Sequence, residues 1–179
     1  MSDLINSNVA IQLKKARSEK GWSLGVTSQH CSVSKAMLGQ IERGESSPTI
    51  AKLWNIATGF GLPLSYFLNM GDESGESLIF SEGQKVYIEN VFEYDPATGI
   101  EVFTLNYAVG HEQYSEAHQV GVIEHIMVLE GAMEYFIEGQ WHALKSGDKA
   151  KFSAAQLHGY RNVGSGLLTF SNIIAYPHA

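Results

Sequence analysis

The sequence has one cysteine, Cys31, four prolines and no long apolar run. A single cysteine excludes an intramolecular disulfide and is compatible with a reducing compartment, where a small buried side chain is the expected role for Cys31. A membrane-spanning helix needs roughly twenty apolar residues in succession, and no stretch reaches that length. The first residues, Met-Ser-Asp-Leu-Ile-Asn, lack the basic segment and apolar core of a secretion signal. We therefore expect a cytoplasmic protein with no membrane partner.

Positive charge is scarce over the whole chain and is concentrated in its first part. The 179 residues carry a net charge of −7. Residues 1–69 contain seven Lys and Arg against four Asp and Glu, a net charge of +3, whereas residues 70–179 have a net charge of −10. A basic piece joined to an acidic one fits a DNA-binding domain fused to a domain that avoids phosphate, although other fusions share this pattern.

The hydrophobic period changes from helical to alternating along the chain. Residues 1–69 predict an all-α domain with five helices, and the small and acidic residues 70–77 predict a linker. Residues 78–179 predict an all-β domain, so the fold class is α+β with two domains. The predicted helices run from Asn6 or Ser7 to Gly21, from Leu24 to His30, between Ser34 and Gly44, after Pro48, and from Leu64 to Leu68.

The second half of the chain contains short β-type segments separated by glycine and other turn residues. Many short strands at such spacing indicate a sandwich or a barrel. The predicted strands cover residues 86–88, 101–107, 124–129, 133–137, 141–144, 150–152 and 168–176.

The stretch 33–48 contains a short helix with a small, polar outer face. Ser34 can cap its start and Gly44 can supply the positive φ that ends it. Leu38 and Ile41 share the inward face. The outward positions are Lys35, Ala36, Gly39 and Gln40. Such a face suits the DNA major groove, because Lys can donate to guanine and Gln can bond adenine, but a merely solvated helix has the same pattern.

Four polar residues of the second half have the chemistry of a metal site. Glu116 and His118 are two residues apart, Glu124 lies in an apolar strand, and His158 comes from far along the chain. A closed barrel can bring all four together, where imidazole and carboxylate suit zinc (Zn²⁺), iron (Fe²⁺), manganese (Mn²⁺) or nickel (Ni²⁺). Scattered polar residues at the mouth of a barrel are the alternative.

Residues 9–67 resemble the helix-turn-helix (HTH) domain of the XRE type, the family that includes the phage repressors. The phrases Val-Ser-Lys-Ala-Met-Leu and Gln-Ile-Glu-Arg-Gly-Glu-Ser-Ser-Pro-Thr-Ile are similar to those of bacterial regulators that pair this domain with a cupin. The resemblance implies that the chain binds double-stranded DNA, with Ser46 and Ser47 on phosphates. The implied DNA contacts are Ser34, Lys35, Ala36, Met37, Gln40, Arg43, Ser46 and Ser47.

The sequence departs from the HTH family pattern at Leu24, Thr27, Ser28 and Ser32, in the second helix and the turn after it. Thr27 stands where the family often has Leu, which predicts a more polar inner face for the second helix. Ser32 stands where Gly is common, so Ser32 has to adopt a turn conformation that Gly adopts more cheaply.

Residues 81–176 resemble a cupin, a double-stranded β-helix or jelly roll. Glu116 replaces the first histidine of the first cupin motif, and five residues, instead of three or four, separate His118 from Glu124. The resemblance implies His118, Glu124 and His158 as metal ligands with Glu116 as a fourth. Tyr160, Arg161 and Asn162, which follow His158, are the candidates for a ligand pocket, and a structural hydrogen bond is the alternative role for Tyr160 and Arg161. A metal-free cupin is the alternative. The positions that match the motifs are Gly110, Glu116, His118, Glu124 and Gly131, then Gly147, His158 and Asn162.

Together these resemblances imply a transcriptional regulator that is not an enzyme. Family members are generally homodimers on palindromic operators, and the cupin is expected to sense a small-molecule effector, with a sulfur compound or an amino acid as the first guess. A metal-dependent, dioxygenase-like cupin fused to a DNA-binding domain is the rival hypothesis, since two His and one carboxylate also form the iron site of such enzymes. A third possibility is a collapsed cupin that serves only dimerisation.

Overall fold

The computed structural model describes residues 2–68, 79–82 and 85–177. The chain divides into two compact units, Met1–Glu76 and Ser77–Ala179. The expected linker, residues 70–77, lies outside the described residues, so the exact boundary between the domains stays a prediction.

The first unit contains the five expected helices. The first begins at Ser2, earlier than the expected Asn6 or Ser7. The second, third and fifth start and end within two residues of expectation, and the fourth begins after Pro48, as expected. None of the described helices combines the length and the hydropathy needed to span a membrane. The helices are α1 (Ser2–Glu19), α2 (Leu24–Cys31), α3 (Lys35–Glu42), α4 (Ile50–Phe60) and α5 (Leu64–Leu68).

Side-chain caps begin three of these helices. Ser23 Oγ accepts from the Val26 amide at 3.3 Å, Ser34 Oγ from the Met37 amide at 3.2 Å, and Thr49 Oγ1 from the Lys52 amide at 3.3 Å. Each bond satisfies an amide that the first turn of a helix leaves without a partner. Ser32, at the end of α2, has φ 52°, which confirms the strained turn expected there.

The helical core follows the predicted spacing. Thr27, the polar position on α2, is fully buried, and its hydroxyl donates to the Ser23 carbonyl oxygen at 3.0 Å. This bond within the helix satisfies the hydroxyl, so the polar residue is compatible with the core. The buried side chains expected on α1, α3 and α4 are Val9, Leu13, Ala16, Leu38, Ile41, Ile50, Leu53, Trp54 and Ala57.

The second unit is a double-sheet β structure, as expected for a cupin. One sheet has the strand order β1-β2-β3-β10-β5-β8 and the other β4-β9-β6-β7, and all the recorded strand pairs are antiparallel. The strands are β1 (Ile79–Glu82), β2 (Val86–Asp95), β3 (Ile100–Tyr107), β4 (Glu112–Ser115), β5 (Ile123–Glu130), β6 (Ala132–Ile137), β7 (Gln140–Lys145), β8 (Lys149–Ser153), β9 (His158–Asn162) and β10 (Leu168–Ala175).

Three of these strands, β1, β4 and β9, were not expected from the sequence. Strand β9 reads His-Gly-Tyr-Arg-Asn, which has neither apolar alternation nor β-branched residues. It forms because β4 and β6 pair with it on both sides, so tertiary context decides its conformation.

Candidate functional site

Helix α3 presents a narrow polar face. Lys35, Ala36 and Gln40 are exposed, whereas Leu38 and Ile41 are fully buried. The inward and outward positions of these five residues are those that the sequence predicts. The exposed side chains are small or flexible hydrogen-bonding groups, which is the chemistry that major-groove recognition requires.

Gly39 does not belong to the outer face, contrary to expectation. It is buried, and a Cβ added there would lie 3.2 Å from Arg43 Nη1 and 3.7 Å from Leu24 Cδ1. The buried face of α3 therefore includes Gly39 as well as Leu38 and Ile41, because α2 packs against the helix at this position.

The remaining residues implied for DNA binding surround α3. Ser34 Oγ caps the helix and Ser46 Oγ donates to Met37 Sδ at 3.7 Å. Ser47 is exposed. Arg43 is also exposed, and its guanidinium donates to both carboxylate oxygens of Glu45 at 2.6 and 2.8 Å. An exposed pair of this kind contributes little stability, so the bond to Glu45 holds Arg43 only weakly.

An ion pair that sequence reasoning missed fixes α3 against α1. Arg17 Nε and Nη2 donate to Glu42 Oε1 and Oε2 at 2.6 and 2.9 Å, and Nη1 donates to the Trp22 carbonyl oxygen at 3.0 Å. The two residues are 25 positions apart, so no helical spacing rule indicates the contact. It orients the end of α3 relative to the first helix.

In the second unit, the structure brings three of the four expected metal ligands together. His118 Nε2 and His158 Nε2 each lie 3.2 Å from Glu124 Oε1. Glu124 and His158 are 1% exposed and His118 is 9% exposed. The ligand atoms all lie within 4.8 Å of one another. Their convergence inside the barrel was the expectation for a cupin.

Different elements position the three side chains. Glu124 lies on β5 and His158 begins β9, whereas His118 lies in the loop between β4 and β5. The His118 amide donates to the Ala154 carbonyl oxygen at 2.8 Å, which fixes the loop to the end of β8. The loop between His118 and Glu124, which is longer than in the motif, contains a turn in which the Val122 amide donates to the Gln119 carbonyl oxygen at 3.1 Å.

The second carboxylate oxygen of Glu124 is occupied by protein donors. Asn172 Nδ2 donates to Oε2 at 2.8 Å, and the Tyr160 hydroxyl donates to the same oxygen. His158 Nδ1 donates to the Gln156 carbonyl oxygen at 2.9 Å, because a carbonyl oxygen can only accept. These bonds orient Glu124 Oε1 and His158 Nε2 toward each other, as supporting hydrogen bonds do around metal ligands.

Burial and charge shift the pKa values of Glu124 and His158 in opposite directions. Burial raises the pKa of Glu124, but His158 and His118 outweigh it and hold the pKa well below its usual range. Burial lowers the pKa of His158, and the Glu124 carboxylate reverses the shift, so that the pKa is raised. Burial and the charge of Glu124 both raise the pKa of Tyr160 well above its usual value, so Tyr160 stays a hydrogen-bond donor.

The donor set fits a divalent metal ion. Nitrogen and oxygen atoms that each lie about 2.1 Å from one ion are roughly 3 to 3.5 Å apart, and the two separations of 3.2 Å agree with that spacing. With its Nδ1 donating to a carbonyl, a neutral His158 would point a lone pair at the Glu124 carboxylate. A proton, on the imidazole or on the carboxyl group, or a metal ion therefore has to lie between the two ligand atoms.

Glu116 does not join the three ligands and is not retained as a fourth. It is exposed, whereas His118 is buried. The expectation assumed an extended chain through both residues, but β4 ends at Ser115, so the alternation of a strand does not continue to Glu116.

The three residues implied for a ligand pocket have different positions. Tyr160 lies inside, beside Glu124. Arg161 Nε donates to Glu134 Oε2 at 2.7 Å, and its guanidinium lies 4.1 Å from the centre of the Trp141 ring. Asn162 Nδ2 donates to the carbonyl oxygens of Tyr107 and Gly166, both at 2.9 Å. Arg161 lies on the opposite side of β9 from Tyr160, since a strand directs alternate side chains to opposite faces. Asn162 lies on the same side as Tyr160, but its amide is bound to backbone carbonyl oxygens.

Asn172 is the site residue that sequence reasoning missed. It lies between Phe170 and Ile174 at the inward positions of β10, and all three are buried. A polar residue at an inward position of an otherwise apolar strand was the available signal, because a buried amide needs hydrogen-bond partners.

Comparison with known proteins identifies both units. The helix-turn-helix family model matches residues 13–67, and the cupin domain model matches residues 103–174. The chain is 41% identical over 167 residues to the HTH-type transcriptional regulator SutR of Escherichia coli (strain K12), covering 93% of this chain and 94% of that protein.

Two solved structures extend the similarity to the fold. An HTH_3 family transcriptional regulator from Vibrio cholerae is 41% identical, with a TM-score of 0.85 over 99% of both chains. The cupin domain of an XRE family transcriptional regulator from Enterobacter cloacae is 32% identical, with a TM-score of 0.51 over 52% of this chain and 99% of that one. This chain belongs to the HTH-type transcriptional regulators that carry a cupin domain.

Proposed function

We propose that this regulator binds a palindromic operator as a homodimer, reads it with α3, and responds to a small-molecule effector in the cupin barrel through a bound divalent metal. The observation that carries operator reading is the exposed face of Lys35, Ala36 and Gln40 on a helix capped by Ser34. Two copies of such a helix, one DNA turn apart, require a two-fold symmetric site.

Promoter DNA and two substitutions test operator reading. Gln40→Ala removes a candidate base contact and is expected to weaken specific binding about 10- to 100-fold while leaving non-specific binding unchanged. Lys35→Ala is expected to weaken binding and, if Lys35 contacts a phosphate, to reduce the salt dependence as well. Lys20→Ala, an exposed lysine just after α1, is the control. If Gln40→Ala and Lys35→Ala both bound promoter DNA with unchanged affinity, this would falsify the assignment of α3 as the helix that reads the operator.

The metal part of the proposal is supported by the ligand set of His118, Glu124 and His158. These residues would hold Zn²⁺, Fe²⁺, Mn²⁺ or Ni²⁺ through two imidazole nitrogens and one carboxylate oxygen. A bound ion would supply a Lewis-acidic position for a donor atom of the effector. The aromatic surroundings, with half-buried Phe152 and buried Tyr160 beside His158, would limit the access of water to the bound molecule.

Equilibrium dialysis with each of the four metals tests this site. His118→Ala is expected to reduce the affinity for the preferred metal by at least about a hundredfold, because one of three protein ligands is lost. His142→Ala is the matched control, because His142 is an exposed histidine that stacks on Tyr135 and does not belong to the group of three ligands. Equal metal binding by both variants would place the metal elsewhere and leave operator reading untouched.

A sulfur compound or an amino acid is the proposed effector class. An effector can control DNA binding only if its affinity differs between the DNA-competent state and another state of the regulator. Cysteine, methionine and thiosulfate, with alanine as the comparison, are therefore to be titrated into the operator complex. A change in operator affinity that disappears in His158→Ala supports the proposal, and no change with any of them contradicts this effector class.

A metal-dependent oxygenase is the second candidate. One observation favours it, since two His and one carboxylate leave coordination positions open for oxygen and a substrate. Oxygen consumption by the iron-loaded protein with thiols or amino acids would favour this candidate over a pure sensor. Operator binding without turnover would favour the sensor.

A further inference from the structure

The outer face of the six-stranded sheet exposes large apolar side chains. Phe92 is 67% exposed, Met127 45%, Tyr87 39% and Ile173 37%. They lie on three strands of the sheet, β2, β5 and β10. Exposed apolar residues that gather on one surface are typical of an interaction site, whereas scattered ones are not.

A groove runs over the same face beside the edge strand β8. Its volume is about 350 Å³. Apolar side chains and methylene stems of two lysines form most of its lining, so it suits an apolar side chain. It is lined by His125, Ile126, Met127, Lys149, Ala150, Lys151, Ser171 and Ile173.

Strand register orders the outward residues of this face in rows. One row joins Glu89, Thr104, Ser171, Met127 and Lys149 as direct neighbours across β2, β3, β10, β5 and β8. Opposite charges thus lie at the two ends of the row. Neither Glu89 nor Lys149 takes part in an ion pair recorded among residues 7–68 and 85–177.

A neighbouring row places an apolar group opposite the groove. It joins Phe92, Val102, Ile173, His125 and Lys151. Phe92 is at the β2 end of this row, and the groove is at the β8 end. The face therefore has a projecting aromatic residue on the β2 side of β10 and an apolar recess that extends from β10 to β8 on the other side.

We propose that this face binds the same face of a second copy of the chain, with the two-fold axis parallel to β10. Such an axis exchanges the two sides of β10, so β2 of one protomer lies over β8 of its partner. Glu89 then faces Lys149 of the partner, and Phe92 of one protomer lies over the groove of the other. Stacked sheets align within about 30°, which keeps these rows in register near the axis. The inference rests on the homodimer proposed above and names its interface.

Self-complementarity is what selects a second copy as the occupant. An isologous interface has to be complementary to itself under the two-fold operation, and both the charged row and the Phe92 row meet that condition. Each contact occurs twice, so one substitution changes two contacts in the dimer.

Charge reversal in the full-length chain tests the interface by sedimentation equilibrium. Glu89→Lys and Lys149→Glu are each expected to raise the dimer dissociation constant about 10- to 100-fold, because both create two like-charge contacts. The double variant is expected to recover most of the wild-type affinity. Phe92→Ser is expected to raise the constant at least about tenfold. Lys145→Glu, an exposed change on β7 of the other sheet, is the control.

Three outcomes separate this interface from the proposed function. Weakened single variants with a recovered double variant support the interface. A dimeric wild type whose variants all stay equally dimeric overturns the interface and leaves the operator-binding dimer intact. A monomeric wild type overturns both the interface and the dimer, while promoter binding measured on the same sample shows whether the regulator reads DNA as a monomer.

Discussion

Arg17 and Glu42 form a two-bond ion pair between α1 and α3, and their side chains are 20% and 10% exposed. The pair lies at the end of the helix proposed to read DNA. It contrasts with Arg43 and Glu45, which make a similar two-bond contact with side chains 59% and 53% exposed. The chain therefore contains a shielded pair and a solvated pair of the same chemistry, and Glu42 of the first pair is adjacent in sequence to Arg43 of the second.

Glu42→Gln is expected to lower the stability of the helical unit by about 1 to 3 kcal/mol, because a charge-assisted bond is lost in a shielded position. Glu45→Gln is expected to cost less than about 0.5 kcal/mol, since exposed pairs contribute little. Urea unfolding followed by circular dichroism at 222 nm reports this unit, where all the described helices lie. Equal losses in the two variants would contradict the difference in shielding.

The surroundings of Gly39 and Gly59 predict different effects of an alanine substitution on the free energy of unfolding. A Cβ at Gly59 would lie 2.6 Å from Cys31 Sγ and 2.7 Å from the His30 carbonyl oxygen, so Gly59→Ala is expected to destabilise the unit by about 1 to 3 kcal/mol. At Gly39 the nearest atom is the flexible end of Arg43, 3.2 Å away. Gly39→Ala is expected to be neutral or to add up to about 1 kcal/mol. The same urea titration measures both, and a stable Gly59→Ala protein would show that α2 and α4 are more loosely packed.

Ser32→Gly is expected to stabilise the turn between α2 and α3. Ser32 has φ 52°, a conformation that costs an L-residue about 1 kcal/mol more than glycine, although glycine also gains freedom in the unfolded chain. The net increase in the free energy of unfolding of Ser32→Gly is expected to be below about 1 kcal/mol. Ser47→Gly, at an exposed position with no positive φ, should give no increase.

Cys31 is expected to be unreactive in the folded protein. It is 1% exposed, and burial raises the pKa of its thiol to about 12. The attacking species is the thiolate, so at pH 8 Ellman's reagent should react at least about 100-fold more slowly than in guanidinium chloride. Because the pKa is raised on folding, the associated stability is present below about pH 9 and is lost as the pH rises toward 12. Rapid labelling of the native protein would contradict this prediction.

Tyr160→Phe is expected to weaken metal binding about 10- to 100-fold, provided that the proposed metal site exists. The Tyr160 hydroxyl and Asn172 Nδ2 occupy Glu124 Oε2 and leave Oε1 toward the histidines. Supporting bonds of this kind fix the orientation of a ligand. Tyr135→Phe is the matched control, because Tyr135 stacks on Phe152 inside the same barrel. Calorimetric titration of metal into the apo protein distinguishes the two variants.

The local signals of the sequence determined the helices, most strands and the likeness to two families. Caps at Ser23 and Ser34, the inward spacing of Leu38 and Ile41, and the alternation of β3 and β10 depend on residues that are close in sequence. His118, Glu124 and His158 were likewise found from motif spacing, and their convergence agrees with the expectation.

Only the tertiary structure decided which neighbours each residue meets. Strand β9 has no local strand signal and forms because β4 and β6 pair with it. The exposure of Glu116, the outward direction of Arg161 and the bond from Asn172 to Glu124 depend on where strands end and how sheets face each other. Such contacts join residues that are distant in the chain, and periodicity contains no information about them. The opposite charges of Glu89 and Lys149 are visible in the sequence, but only strand register places them at the two ends of one row.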